Sequence, residues 1–303
     1  MTTAIFLIAL AAPFLWSIVN HADKFLLSKY FKAGGVGGLA ILSTLFSIVL
    51  LPIIYFFDQS ILSINPQGAL ILMLAGVFNA LAILLYLYAL QEDETSVVVP
   101  FMQLIPFFTF VFGYFILGET LSAIQIIGGC IITIGVLILS LVKEKGMKMV
   151  FKWKVSALMI ATSILFGLYG VLFKFVSLSD GFWAGAFWEA VGLILFGIVL
   201  FCISSYRKEF FSLFKQNSVP IIGLNLASEM MTIAGNWLMA YASLFVTVAL
   251  VMLVSAYQPV FVLLIGTALS VFLPHLVKED IRIKALAQKG IAIAIIVFGT
   301  YLL

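Results

Sequence analysis

Ten blocks of apolar residues succeed one another along the chain, at roughly 3–23, 36–57, 68–90, 96–117, 122–142, 155–176, 182–204, 218–242, 246–272 and 284–303. Crossing the hydrocarbon core of a bilayer takes about 20 apolar residues in a helix. The pattern therefore predicts ten transmembrane helices and no soluble domain. Joints between blocks are mostly short, and the longest polar ones are 143–154, 204–219 and 274–284. The first block has neither the basic start nor the small-residue cleavage site of a signal peptide, and reads as the first span.

Inside the blocks, polar residues are few and patterned. Asn225, Glu229, Thr232 and Asn236 stand at i, i+4, i+7 and i+11 in the eighth block. That spacing puts four polar side chains on one helix face and predicts a face that meets water or substrate. Trp237 follows the stripe and could wall a cavity. Asn79 and Tyr86 form a weaker stripe in the third block. A second carboxylate, Glu189, lies about seven residues inside the seventh block. A charge at bilayer depth costs about 2.5–3.5 kcal/mol on insertion scales, so such residues face the interior or a wet cavity. Glu229 and Glu189 are accordingly the candidates for proton coupling or for holding a cationic group. The alternative for Glu229 is a protonated acid bonded to a neighbouring helix as structural glue.

Other positions extend the list. The first block carries Pro13, Trp16, Asn20 and Lys24 at helical spacing, and the sixth carries Ser163, Phe166, Gly170 and Lys174. Both lysines read as anchors that snorkel to the interface. The ninth block offers Thr247, Val251, Ser255 and Gln258, with Tyr257 and Pro259 alongside. Gln103 and Pro106 hold similar places in the fourth. A proline in a membrane helix frees a carbonyl one turn back, so Pro106 and Pro259 mark paired irregularities that could serve as hinges.

These pairings belong to a larger repeat. Tyr88-Ala89-Leu90 and Tyr241-Ala242-Ser243 each open a passage that reaches a proline eighteen residues after the tyrosine. "WSIVNHADKF" (16–25) aligns with "FGLYGVLFKF" (166–175), so the offset is 150 residues in one place and 153 in the other. The unit is half the chain, five spans long. An odd number of spans forces the two copies to face opposite ways, as in the inverted repeats of many secondary transporters. The expected units are 1–142 and 155–303, joined by a basic loop at 143–154.

Composition agrees with the pattern. The chain is 64% hydrophobic and 10% charged, far from the roughly 25% charge of a soluble domain. A net charge of +3 spread over the joints gives no nucleic-acid signal. The two cysteines, Cys130 and Cys202, lie in apolar runs and read as small apolar side chains. No His or Cys cluster suggests a metal, and no Walker, HExxH or GxSxG motif suggests ATP hydrolysis or an enzyme. Fifteen of the sixteen Lys and Arg fall in the joints after odd-numbered blocks or at the block ends beside them, leaving Lys174 alone on the other side. The positive-inside rule puts those joints in the cytoplasm and both termini outside.

The passage 88–139 carries a resemblance. Tyr88-Ala89-Leu90, Pro106, Leu117-Gly118-Glu119 and Gly128, Gly129 and Gly135 resemble the ten-span EamA-type transporters of the drug/metabolite transporter superfamily. The second half keeps Pro259 but has "LPHLVKEDI" (273–281) in place of Leu-Gly-Glu, with Glu279 as the nearest counterpart of Glu119. Members are often drawn with both termini in the cytoplasm; the count here places them outside. The resemblance implies a carrier of small metabolites, often amino acids or related compounds and often outward.

The expectation is an all-α integral membrane protein of the plasma (inner) membrane, with two inverted five-helix repeats around a central cavity. It would export a small-molecule substrate by alternating access, without a cofactor, as a monomer or homodimer. Substrate-contacting positions are Trp16, Asn20, Asn79, Tyr86, Gln103, Asn225, Glu229, Asn236, Trp237, Ser255, Tyr257 and Gln258. A multidrug exporter of lipophilic cations and a non-transporting scaffold or sensor stand as alternatives.

Overall fold

The computed structural model describes residues 1–30, 35–92, 98–140, 153–215, 219–272 and 283–302. Among them the chain is all-helical. The helices are α1 (Thr3–Tyr30), α2 (Val36–Phe57), α3 (Pro66–Glu92), α4 (Ile105–Leu117), α5 (Ala123–Ser140) and α6 (Trp153–Asp180). They continue as α7 (Phe182–Cys202), α8 (Ser204–Lys215), α9 (Val219–Ser243), α10 (Val248–Val254), α11 (Gln258–Phe272) and α12 (Ile283–Tyr301). Helix is what apolar blocks of this length must form in lipid, because every backbone polar group has to be satisfied within the segment. Six segments are long and apolar enough to cross a membrane: Thr3–Ala22, Val36–Phe57, Pro66–Glu92, Trp153–Asp180, Phe182–Cys202 and Val248–Leu269. Ile105–Leu117, Ala123–Gly135 and Gly290–Tyr301 are shorter apolar helices. The protein is a multi-pass membrane protein.

Chain ends and turns follow local chemistry. α4 stops at Gly118, whose φ of 67° is left-handed and suits glycine, and the Glu119 amide donates back to the Gly113 carbonyl at 3.1 Å. After α2, Asp58 caps the short turn Gln59–Ser63 by accepting from the Ser60 amide at 2.9 Å and its hydroxyl at 2.6 Å. The Ser60 hydroxyl, then its amide, hold the exposed Asp58 carboxyl below the usual carboxylate range. α4 is preceded by a 3-10 turn at Val99–Leu104, and α11 by one at Ser255–Tyr257.

Helix α7 packs on α2, α3 and α6. Glycines let it approach. A methyl group at Gly192 would fall 2.0 Å from the Met73 carbonyl oxygen of α3, and one at Gly76 of α3 would fall 2.1 Å from the Glu189 carbonyl oxygen. Gly185 faces Ser177 of α6, and Gly197 faces Thr44 of α2. Lipid supplies no hydrophobic drive between helices, so this close backbone contact is the main source of cohesion. α5 and α12 use the same device, with Gly135 against Ile296 and Gly299 against the Gly128 carbonyl.

One sequence reading is corrected. The joint at 204–219 is not a loop through its length: Ser204–Lys215 is the helix α8. Its Tyr206 covers Gly37, and its Glu209 carboxylate accepts from the amides of Gly37 at 3.0 Å and Gly38 at 3.3 Å. The start of α2 is thus packed from Gly37 onward. An anionic cap on the first turn of α2 suits its dipole. Tyr206 also shares a 2.6 Å hydroxyl hydrogen bond with Tyr88 of α3.

Candidate functional site

The polar stripe of α9 faces α2 and α7 at two depths. At the first, the Ser43 hydroxyl of α2 donates to Glu229, and Asn225 is buried one turn away with its carbonyl oxygen unpaired. Seven residues further along both helices, about 10 Å by helical rise, Leu50 of α2 and Asn236 of α9 meet α7. There they enclose a cavity of about 20 Å³ with Glu189, Ala190, Ile233 and Trp237. That volume admits one water molecule. Trp237 is the wall between this cavity and an apolar groove of about 330 Å³ formed with Phe182, Ala234, Leu238 and Tyr241.

Glu189 is the deeper carboxylate, 4% exposed. Its Oε1 accepts from Nδ2 of Asn79, itself 1% exposed, at 2.9 Å. Tyr169 of α6 faces the same carboxyl without closing a hydrogen bond in good geometry. The carboxyl therefore lies where α3, α6 and α7 meet, at the rim of the cavity. Asn79 is brought to the site, but by α7 and not by its repeat counterpart on α9.

The remaining candidates are scattered. Trp16 packs its indole over Gly235 of α9, and Asn20 is half-buried further along α1. Tyr86 packs beside the cluster of Ala89, Val98, Val155 and Met159. Ser255 donates back to the Met252 carbonyl at 2.6 Å, and Tyr257 donates to Thr300 at 3.0 Å. Gln258 is half-buried at the start of α11. Pro106 and Pro259 are each the second residue of the helix that follows a 3-10 turn. The side chains of Gln103 and Lys24, residues 93–95 and Glu279 lie outside what is described. Cys130 and Cys202 are free and exposed on the apolar surface. Among the described residues, no group of His, Cys, Asp and Glu could hold a metal ion.

One reading is overturned outright. Lys174 does not snorkel to an interface. Its ammonium lies 2.6 Å from Glu119 Oε1 and donates to the Val246 carbonyl at 2.7 Å, with side chains only 9% and 12% exposed. Glu119 Oε2 in turn accepts from the Val248 amide at 2.9 Å. The pair ties the Leu-Gly-Glu turn to α6 and to the α9–α10 link. Glu119 was visible as a motif residue; its partner, 55 residues on, carried no local signal.

Residues 3–141 match the profile of the EamA-like transporter family. No curated protein matches the chain. A solved crystal structure of a protein, 17% identical, superposes over 100% of this chain and 96% of its own with a TM-score of 0.65, a likeness of fold. The match spans just under half of the chain, and over those residues the chain is similar to the EamA-like transporter family.

Proposed function

We propose that the chain is a secondary-active exporter of a small metabolite, an amino acid or related compound, working by alternating access. In this reading residues 1–142 and 155–303 are inverted five-helix repeats in a ten-span bundle. The observation that carries it is Glu189: a buried carboxylate without a cationic partner among the described residues, beside a water-sized cavity at the meeting of α2, α7 and α9. A charge there is costly unless it serves a permeating species. Matched packing supports the repeat, since α3 lies on α6 as α9 lies on α1, and α4 on α6 as α11 on α1.

Glu229 and Glu189 load and release the coupling proton. Helices α4 and α11 flex at their proline-led starts, and the Lys174–Glu119 pair closes the end of the bundle that carries both termini. Lys174 is neutralised in that pair, which leaves the free positive charge at the opposite end. The positive-inside rule then puts that opposite end in the cytoplasm and the termini outside the plasma (inner) membrane. The apolar groove behind Trp237 favours a second reading, export of a lipophilic cation whose ring would lie against the indole. A scaffold would have a dry, apolar centre, and the centre here carries Glu189, Asn79 and Asn236.

The test is flux in proteoliposomes, with substrates chosen by a thermal-shift screen over amino acids, nucleosides, vitamins and cationic dyes. A hit that is then carried down a pH gradient, with Glu229→Gln flattening the pH dependence, is the expected result. Unchanged transport and pH dependence in Glu229→Gln would end the coupling role.

A further inference from the structure

The short helix α8 crosses α2 instead of running beside it. The Tyr206 ring covers Gly37, and a methyl group at Gly38 would fall 2.9 Å from the Phe210 backbone nitrogen. Gly37 and Gly38 are neighbours in α2, so they point about 100° apart around its axis with a rise of about 1.5 Å between them. Tyr206 and Phe210 stand at i and i+4 in α8, on one face and about 6 Å apart along it. The line of contact therefore runs around α2 and along α8, and the two axes meet at a steep angle. Helix α2 is long and apolar enough to cross a membrane. α8 follows α7 after Ile203 alone, so it lies near the plane of the membrane surface, at the end of the bundle where α2 begins.

The faces of α8 are sorted accordingly. Tyr206 and Phe210 pack inward against the cluster of Val36, Ala40 and Ile41. Glu209 reaches the Gly37 and Gly38 amides at the mouth of α2. Phe211 stands two residues from Glu209, about 200° around the helix, and so points away from that mouth, along the apolar length of the bundle. It is 51% exposed, and Val199 at the end of α7 is 59% exposed. Arg207 and Lys208 flank Phe211 at i−4 and i−3, the spacings that make neighbours on a helix surface. Both are exposed, and among the described residues neither is in an ion pair. A ring aimed into lipid beside two free cations is the arrangement of a helix lying in a membrane interface. The ring enters the acyl boundary, the long basic stems follow it, and the charged heads stay among the phosphates.

We propose that α8 is an interfacial anchor, in which Arg207 and Lys208 bind the phosphates of anionic phospholipids and Phe211 sits among the first acyl carbons. The contact reaches the interior. Glu209 ties α8 to the first turn of α2, and α2 carries Ser43 to Glu229. The lipid that holds α8 thus also sets the depth at which α2 presents Ser43. In the orientation proposed above the leaflet is the cytoplasmic one, whose surface is anionic. The lipid contact itself requires neither that orientation nor transport.

The experiment uses the purified full chain. Melting in a neutral detergent is followed while phosphatidylglycerol, phosphatidylcholine or inorganic phosphate is added at constant ionic strength. Phosphatidylglycerol should raise the melting temperature and saturate, and the other two should not. Arg207→Gln/Lys208→Gln changes two exposed side chains, so without lipid it should melt like the parent. It should need about tenfold or more phosphatidylglycerol for the same rise. Depth is read on a Cys130→Ser/Cys202→Ser chain in vesicles of both lipids. Bimane on Phe211→Cys should be quenched by brominated lipid, and bimane on the exposed Ser205→Cys by aqueous iodide. No response of the parent to phosphatidylglycerol, an equal response to phosphatidylcholine or phosphate, or an undiminished response in the double variant would overturn the headgroup contact. Quenching of the Phe211→Cys label by iodide alone would overturn the interfacial placement and leave this face to a soluble partner.

Discussion

Breaking the Lys174–Glu119 pair is the sharpest available perturbation. Both side chains are nearly buried, and each charge has one ionic partner and one backbone partner. Lys174→Met would leave Glu119 with only the Val248 amide in a low-dielectric setting. Removing one member of a buried ion pair costs about 3–5 kcal/mol. At about 2–4 °C per kcal/mol for chains of 150–250 residues, melting should fall by about 6–20 °C. The double variant Lys174→Met/Glu119→Leu removes both charges together, so no charge is stranded. Apolar replacement of a whole buried pair is often neutral. The double should therefore melt above the worse single, and the cycle should give a coupling energy of about 2 kcal/mol or more, within the range for contacting residues. Melting in detergent, followed by tryptophan fluorescence or by the monodisperse fraction after heating, reads all four proteins. If the two single losses simply add up in the double, the residues are not coupled and the pair does not hold the turn to the α9–α10 link.

Three further outcomes follow from the packing. Gly192→Leu should abolish the folded protein, because its side chain would have to occupy the space of the Met73 backbone; the monodisperse yield after purification measures this, and a normal yield would mean that α3 and α7 are not in contact. Glu209→Ala removes the acceptor for the Gly37 and Gly38 amides and should cost about 1–3 kcal/mol, read as faster protease cleavage near residue 35. Trp188→Phe deletes the 2.9 Å bond from its indole N–H to the Ile61 carbonyl; it should loosen the Gln59–Ser63 turn, seen as faster hydrogen exchange there while the bundle's protection holds.

The fold was legible where lipid dictates it. Block length marked apolar helices, six of which are long enough to cross a membrane, and the paired prolines marked two helix starts that each follow a 3-10 turn. α8 was hidden by its polar composition, although Tyr206, Phe210 and Phe211 already form one apolar side of a helix. At the site, periodicity showed which face of α9 is polar and picked out Glu229, and the rarity of charge at bilayer depth picked out Glu189. It could not show who meets whom. Ser43 and Glu229 are 186 residues apart, and Asn79 and Glu189 are 110 apart. Such pairings depend on how helices are rotated and staggered, which close glycine contacts decide and apolar content does not encode. The weight given to Glu229 over Glu189 came from that limit: a stripe advertises itself, whereas a single acid is recognised only by what surrounds it.

The glycines of α7 have a kinematic consequence. Gly185, Gly192 and Gly197 are each pressed by a different neighbour, α6, α3 and α2. Turning the helix by one residue, about 100°, or sliding it by one rise, about 1.5 Å, would bring a side chain into each of those contacts. α7 is left with almost no rotational or axial freedom of its own. Glu189 is therefore carried on a helix locked against three neighbours, and whatever exposes it to one side or the other must be motion of those neighbours.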